Sequence, residues 1–402
     1  MIIGLISFLV NMTLKNFIYF STLLSIFTEA LRYNIGFDLK FFYLVIFINT
    51  FLFVSVNKIR YTNGLLFFHV VILCSGLFSC IFGYNNFGYF FVQLFFLILI
   101  PTFYYSFFNF FEDKCDNIVL FYCRSCVALA IIGAVKLPFD MLHGESFHSL
   151  MLEPAHYCTV VLPAFFITLR DSKFPRYYYL TILLSIILSG SSLGFIGLGL
   201  SMLLFSKSIS VLKTAMASFL VFILGFTLYL SYPPFTLRMD DTFNSFIDRD
   251  LSKANLSTYA LLSNLFVSTQ SFMSNPLIGN GIGSHIQSRA LYLGNVEGIE
   301  VFEKLDMDHL NAQDAGSLFS RLMSELGLVG IIGVFYFITK FYVSNQKDAL
   351  SPNAIISRGL ILYFFAKLFR EGHYFSPEMY FFVFLYVFNK YDDNKKRLID
   401  AQ

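Results

Sequence analysis

Three side chains in the sequence could act as general bases, and each lies at the end of an apolar segment or between two such segments. They are Glu153, His309 and His373. A carboxylate or a neutral imidazole can remove the proton from a hydroxyl group as that group attacks a substrate. Glu153 also has a structural interpretation, because a negative charge at the start of a helix stabilises the helix dipole.

Four arginines could bind a ligand that contains phosphate. They are Arg249, Arg289, Arg321 and Arg370. A guanidinium group matches two phosphate oxygens with a pair of parallel hydrogen bonds. Arg321 has a second interpretation of equal weight, since Glu325 lies four residues later and the two side chains could pair on one helix face.

Two further motifs could bind a ligand, but each fits the known binding motifs poorly. The side chains of Asp306, Asp308, His309 and Asp314 could together hold a divalent cation, but their spacing fits no calcium-binding loop. The glycine-rich segment 279–285 resembles a phosphate-binding loop, yet the sequence predicts neither the strand before it nor the helix after it that such a loop requires. We therefore predict no metal, no nucleotide and no other cofactor.

The elements that must position these residues are membrane helices. Hydrophobic residues make up 56% of the 402-residue chain, charged residues only 13%, and the mean hydropathy is +0.66. Soluble domains contain about 25% charged residues, so this composition excludes an ordinary soluble protein. The sequence also contains no cluster of basic residues interleaved with aromatic residues, so we predict no nucleic-acid partner.

Apolar segments of about 20 residues each predict roughly twelve transmembrane helices. The predicted spans are residues 12–30, 39–57, 64–83, 87–108, 117–137, 155–170, 177–190, 192–206, 213–231, 317–339, 355–370 and 377–391. Between the seventh and eighth, residues 189–192 leave room only for a tight turn or a broken helix. The apolar segment Met1–Val10 has no basic leader and no cleavage site of small residues, so we expect it to stay on the chain.

Lysine and arginine counts predict the orientation of these helices. With the amino terminus inside, the cytoplasmic segments contain sixteen basic residues and the short outer segments contain four. Because basic residues favour cytoplasmic loops, both termini are predicted to lie in the cytoplasm. The chain then divides into spans one to nine (1–231), a long outer loop (232–316), spans ten to twelve (317–391) and a cytoplasmic tail (392–402).

The long outer loop is predicted to be acidic and partly helical. Residues 231–316 contain ten acidic and five basic side chains, a net charge of −5. Residues 257–273 have the pattern of an amphipathic helix, with Ser257 as the N-cap and Asn275-Pro276 as the stop signal. The side chains of Leu261, Leu265 and Phe272 are predicted to share its apolar face.

The order of these features resembles the O-antigen polymerase and O-antigen ligase superfamily of bacterial envelope glycosyltransferases. The motifs are Asn275-Pro276-Leu277-Ile278-Gly279-Asn280-Gly281-Ile282-Gly283 in the outer loop and Glu325-Leu326-Gly327-Leu328-Val329-Gly330 in the next helix. Glu153-Pro154 and Leu188-Ser189-Gly190-Ser191-Ser192 also look like Wzy-type polymerases. The resemblance covers about Met151 to the end. The histidine that ligases carry before the glycine matching Gly327 is replaced by Gly316-Ser317, which favours a polymerase.

The resemblance implies an inverting glycosyltransferase in the bacterial inner membrane. Such an enzyme transfers a growing glycan from undecaprenyl pyrophosphate to a second lipid-linked repeat unit at the outer face, with a chain-length regulator as a candidate partner. Glu153, His309 or His373 would be the base, and Arg249, Arg289, Arg321 and Arg370 would bind the pyrophosphate. The alternatives are an O-antigen ligase acting on lipid A core and a polysaccharide flippase.

Overall fold

The computed structural model describes residues 13–34, 38–143, 146–204, 229–230, 233–248, 250–344 and 350–400, and this part of the chain is mostly α-helical. Within these residues the α-helices, numbered in chain order, are α1 (Leu14–Ser25), α2 (Phe41–Val56), α3 (Asn63–Ile81), α4 (Phe87–Phe110), α5 (Cys115–Leu142), α6 (Pro154–Arg170), α7 (Arg176–Ser189), α8 (Ser192–Leu204), α9 (Pro233–Asp248), α10 (Leu256–Ser274), α11 (His285–Tyr292), α12 (Ile299–Lys304), α13 (Leu318–Lys340), α14 (Pro352–Arg370) and α15 (Met379–Asp400). Two short antiparallel strands, β1 (Arg32–Asn34) and β2 (Asp38–Lys40), pair with Arg32 opposite Lys40.

Among the residues that the structure describes, four segments are long and apolar enough to cross a membrane. They are Asn63–Ile81, Phe87–Phe110, Glu112–Leu142 and Leu318–Lys340, and α2, α7 and α8 are shorter apolar helices. These helices indicate a membrane-embedded protein of the all-α class, whereas the number of twelve spans stays a prediction. The predicted ninth span, 213–231, lies outside the described residues except for its positions 229 and 230.

The centre of the bundle is the pair α6 and α14, whose partners are α5, α7, α8, α13 and α15. Aromatic side chains fill the space between them: the Tyr363 and Phe382 rings are 4.4 Å apart, and the Tyr122 hydroxyl donates a hydrogen bond to Val160 O. Because lipid is as apolar as these rings, close packing rather than removal from water holds such helices together. Phenylalanines such as Phe381 and Phe382 belong to this interior, whereas others, such as Phe67 and Phe82, are exposed on the outside of the bundle.

Between α7 and α8 the chain makes a tight turn. Helix α7 ends at Ser189, and Gly190 adopts a left-handed conformation (φ 60°) before α8 begins at Ser192. Of the two possibilities predicted for this segment, the turn is therefore the one that the structure contains.

The segment predicted as the outer loop, which keeps that name below, is partly helical in its described residues, as expected. Two details of its main helix differ from the expectation. The N-cap of α10 is Asn255, whose side chain accepts a hydrogen bond from Thr258 N, and not Ser257. Its buried face combines Ser263, Asn264 and Ser268 with Tyr259 and Val267, whereas the residues of the predicted apolar face, Leu261, Leu265 and Phe272, are half-buried. This face packs against α13, where small side chains allow two helices to approach closely.

Helix α13 is broken at Gly327, which has φ 57° and ψ −147°. A break leaves backbone groups without helical partners, and these must be satisfied where the helix is buried. The glycine-rich segment 275–283 of the outer loop supplies the partners through four backbone hydrogen bonds of 2.8–3.0 Å. They run from Asn280 N to Ser324 O, Gly281 N to Glu325 O, Leu328 N to Pro276 O, and Val329 N to Leu277 O.

These hydrogen bonds join segments 275–283 and 325–330, the two motifs on which the resemblance rests, into one structural unit. The segment 275–283 is followed directly by helix α11, so the prediction that no helix follows it is wrong. No strand precedes it among the described residues, since α10 ends at Ser274. The Asn280 and Gly281 amides bond to α13 and the Ile282 amide bonds to Ser75 Oγ, so these three amides are not available to cradle a phosphate.

Candidate functional site

Ionisable side chains gather at the end of the bundle where α1 and α14 finish and α6 and α13 begin. At its surface, His373 Nε2 lies 3.1 Å from Asp314 Oδ2. Both residues lie in connecting segments, which meet because Gly372 has no side chain: a Cβ there would overlap the carbonyl group of Asp314. The His373 side chain is 36% exposed, whereas Asp314 is buried.

The surroundings of this pair favour a carboxylate that holds a neutral imidazole. Burial opposes ionisation of Asp314, but His373, the Gly316 amide and the Asn311 side chain outweigh it and hold the pKa of Asp314 below its usual value. Desolvation lowers the pKa of His373, against the opposing pull of Asp314. At neutral pH the imidazole is therefore neutral, with its Nε2 atom 3.1 Å from the Asp314 carboxylate, and a ring that carries its proton on Nε2 could accept a second proton at Nδ1.

Arg321 lies behind this pair and is 2% exposed. Its Nε atom is 3.1 Å from Glu325 Oε1, its guanidinium stacks 3.9 Å from the centre of the Tyr374 ring, and Nη1 donates a hydrogen bond to Gly372 O. The structure thus contains the ion pair that was the structural interpretation of Arg321. With these contacts Arg321 positions the segment that carries His373, and its positive charge also favours the ionised Asp314.

A second buried network surrounds Lys367, one turn before the end of α14. Lys367 is 1% exposed, and its Nζ atom donates a hydrogen bond to Glu371 Oε1 at 2.6 Å and another to Ser376 Oγ. Ser376 in turn donates a hydrogen bond to Glu378 Oε1 at 2.7 Å. Uncompensated buried charge is very costly, so each of these groups depends on the others.

Glu29 and His156 extend this network towards α1 and α6. Glu29 Oε1 lies 2.7 Å from His156 Nδ1, in an off-axis contact that does not have the geometry of a hydrogen bond. Ligand atoms of Glu29, His156 and Glu371 all lie within 4.8 Å of one another, so these three could hold a divalent cation. The ammonium group of Lys367 at Glu371 works against that arrangement, because it already supplies a positive charge.

The remaining predicted bases are exposed, and Glu153 lies near His156 at the start of α6. Glu153 is exposed at the N-cap of α6 and makes no side-chain capping bond, so only its charge could stabilise the helix. His309 is exposed in the outer loop, where its side chain and those of Asp306 and Asp308 could hold a cation. Asp314, the fourth member of that predicted set, contacts His373 instead.

The remaining predicted arginines have different surroundings. Arg249 lies outside the described residues. Arg289 is buried in the outer loop, where it donates hydrogen bonds to Asn264 Oδ1 and to the carbonyl oxygen of Asp308. Arg370 is partly exposed at the end of α14, three residues from His373, and makes no hydrogen bond or ion pair with any described residue.

His285 connects the outer loop to α13. Its ring nitrogens lie 3.0 Å from Asn264 Oδ1 and 3.0 Å from Ser324 Oγ, and the side chain is fully buried. Desolvation and the positive charges of Arg321 and Arg289 lower the pKa of His285 to about 3. The ring is therefore neutral in the folded protein throughout the physiological range.

We expect His285 to make the folded protein less stable in mild acid. Below the ordinary histidine pKa of about 6.5 the unfolded chain binds a proton that the folded chain does not, which costs about 1.4 kcal/mol per pH unit. Lowering the pH from 6.5 to 5 should thus remove about 2 kcal/mol. The free energy of unfolding of the wild type should fall by this amount over this pH range, whereas that of His285→Asn should lack this contribution. The same pH dependence in both proteins would contradict the conclusion that His285 is buried as a neutral imidazole.

Sequence reasoning missed the buried network around Lys367. A signal was available, because a lysine inside a predicted span is expensive and usually has a partner or a function. Glu29 and Glu371 gave no such signal, since each lies at a predicted boundary between span and loop, where a charged residue is ordinary. Their proximity to His156 depends on contacts between residues far apart in the sequence.

Comparison with known proteins leaves this geometry as the main guide to function. The chain matches no protein-family model, and no curated protein is detectably similar to it.

Proposed function

We propose that the protein is a membrane glycosyltransferase that polymerises oligosaccharide repeat units carried on undecaprenyl pyrophosphate. The observation that carries the proposal is the His373–Asp314 pair, a partly exposed imidazole held by a buried carboxylate. Arg370, three residues before His373 in the chain, adds a partly exposed cation that has no hydrogen-bond or ion-pair partner among the described residues. A base and a cation this close in sequence could serve an acceptor hydroxyl and a pyrophosphate leaving group.

The proposed reaction needs one proton transfer and one displacement. The acceptor hydroxyl oxygen attacks the anomeric carbon of the donor glycan, and its proton passes to Nδ1 of His373. The bond between that carbon and the pyrophosphate oxygen breaks, and undecaprenyl pyrophosphate leaves with the electron pair. Arg370 stabilises the charge that develops on the leaving group, which needs no protonation because pyrophosphate is a weak base.

Among the three predicted bases, His373 is the one we assign to this step. Asp314 orients its ring and stabilises the imidazolium that forms, as a carboxylate does in other histidine-based catalysts. Among the described residues, Glu153 and His309 form no ion pair that would orient them in this way.

Transport is a second candidate, and the buried Lys367 network favours it. Proton-coupled transporters use paired acidic, basic and histidine side chains between helices, and Lys367, Glu371 and Glu378 form such a set. The network could instead support the residues around His373 without moving charge. One assay separates these two possibilities.

That assay uses purified full-length protein in detergent with a synthetic repeat unit linked to undecaprenyl pyrophosphate. We expect products with two or more repeats to form without ATP, nucleotide sugar or an ion gradient, and a gel of the products would show them as a ladder. A pure transporter forms no new glycosidic bond. If the repeat stays single under all conditions while the protein moves it across a vesicle membrane, the polymerase proposal is wrong.

A further inference from the structure

A cavity at the opposite end of the bundle contains polar groups that the proposed reaction does not use. It lies between the start of α1 and the start of α5 and has a volume of about 310 Å³. Tyr19, Phe20 and Phe121 form apolar walls, and Lys114 and Arg124 provide two positive charges. The site around His373 lies where α1 ends, so the two regions are separated by the length of this helix.

The helical repeat brings the polar lining residues together. Lys114, Asn117 and Arg124 follow one another at intervals of three and seven residues, which places them along one face of the segment Glu112–Leu142. Asn16 of α1 lies across from them. Charge, amide groups and aromatic walls thus converge on one opening, as they do where proteins bind the head groups of lipids.

Arg124 is the residue that most needs an external partner. It lies within an apolar segment long enough to cross a membrane, and its side chain is exposed. It makes no hydrogen bond or ion pair with the part of the chain that the structure describes. An arginine at such a position is unfavourable unless its charge reaches a counter-ion, and its long side chain can extend towards the membrane surface to do so.

The acidic residues near this end do not neutralise the cavity. Asp113 and Asp116 point to α15, where they pair with Lys395 at 3.4 Å and Lys396 at 3.9 Å. Lys114 instead lies over the rings of Tyr19 and Phe111, at 5.7 and 5.5 Å from their centres. The cavity therefore keeps both of its positive charges.

We propose that this cavity binds the phosphate group of an anionic phospholipid. Arg124 and Lys114 would pair with the phosphate oxygens, Asn16 and Asn117 would donate hydrogen bonds to the head group, and the acyl chains would follow the exposed apolar face of α5. A lipid fits better than free phosphate, because the molecules that surround an exposed face at the level of Arg124 are lipids. The inference is independent of the reaction at His373.

Native mass spectrometry of the full-length protein tests the proposal with phosphatidylglycerol, phosphatidylcholine and inorganic phosphate as probes. We expect the wild type to bind one molecule of phosphatidylglycerol at this cavity. The double variant Lys114→Gln, Arg124→Gln should bind it with a dissociation constant at least about tenfold higher. Phosphatidylcholine should bind weakly to both proteins. Millimolar inorganic phosphate should not displace the bound lipid.

Lys340→Gln is the matched control, because Lys340 is also an exposed lysine over an aromatic ring at the end of a long apolar helix. It should bind phosphatidylglycerol as the wild type does. All substituted side chains are exposed, so the variants should fold. Equal lipid binding by the wild type and the double variant, or no preference for the anionic lipid, would overturn the proposal. Displacement by free phosphate would show that the cavity selects an anion but not a lipid.

Discussion

Replacing His373 with Gln should reduce the rate of chain growth at least about 100-fold, the usual contribution of a positioned general base. Glutamine can still donate a hydrogen bond towards Asp314, but it cannot take a proton from the acceptor hydroxyl. Because the loss concerns a proton transfer in the reaction, kcat should fall while KM stays near the wild-type value. Initial rates over a range of acceptor concentrations, measured with the synthetic lipid-linked repeat, separate the two constants.

Two further variants make this result specific. His143→Gln alters an exposed histidine at the same end of the bundle, whose ring contacts Phe139. It should retain the wild-type rate. Asp314→Asn should lose part of the rate, because the amide stabilises an imidazolium less well than a carboxylate. If His373→Gln and His143→Gln were equally active, His373 would not be the base, and the exposed Glu153 and His309 would need to be tested next.

Replacing Gly327 with Ala should destabilise the protein by at least about 3 kcal/mol, which combines backbone strain with steric overlap. The backbone angles at Gly327 are almost exclusive to glycine. A Cβ atom would also lie 2.6 Å from Gly279 N and 2.7 Å from Pro276 O, both in the segment that pairs with the broken helix. Five of the six cysteines are buried, so a thiol-reactive dye can follow thermal unfolding in detergent.

The matched control is Gly333→Ala, which lies in the same helix six residues later. A Cβ atom at Gly333 would meet nothing within 4 Å, and its backbone is helical. This variant should unfold at the wild-type temperature or slightly above it, since alanine favours helix more than glycine does. Equal unfolding temperatures for the two variants would mean that the close approach of the loop segment to α13 does not contribute to stability.

The sequence was sufficient to predict the parts of the fold that depend on local composition. Apolar length identified the helices, and Asn275-Pro276 correctly marked the end of α10. The N-cap was placed two residues late, because both Asn255 and Ser257 can cap a helix and only the backbone conformation distinguishes them. The buried face was wrong because hydrophobic residues do not identify the contact surface of a helix that packs closely through small residues.

The candidate site was less predictable, since it depends on contacts between distant residues. Arg321 could be paired with Glu325 from their spacing alone, and the structure contains that pair. His373 and Asp314 are 59 positions apart, and nothing local indicates that they meet. Their contact results from the packing of Gly372 against the Asp314 backbone, which requires the positions of two connecting segments.

The pairing of the loop segment with the broken helix has a consequence for protein engineering. Each of the two motifs supplies the hydrogen-bond partners of the other, so neither is an independent module. A chimaera that exchanges the outer loop of this chain for that of another protein would need to transfer residues 275–330 as one block. A junction placed at the apparent boundary between loop and helix, near Ser317, would separate the two halves of a single folded unit.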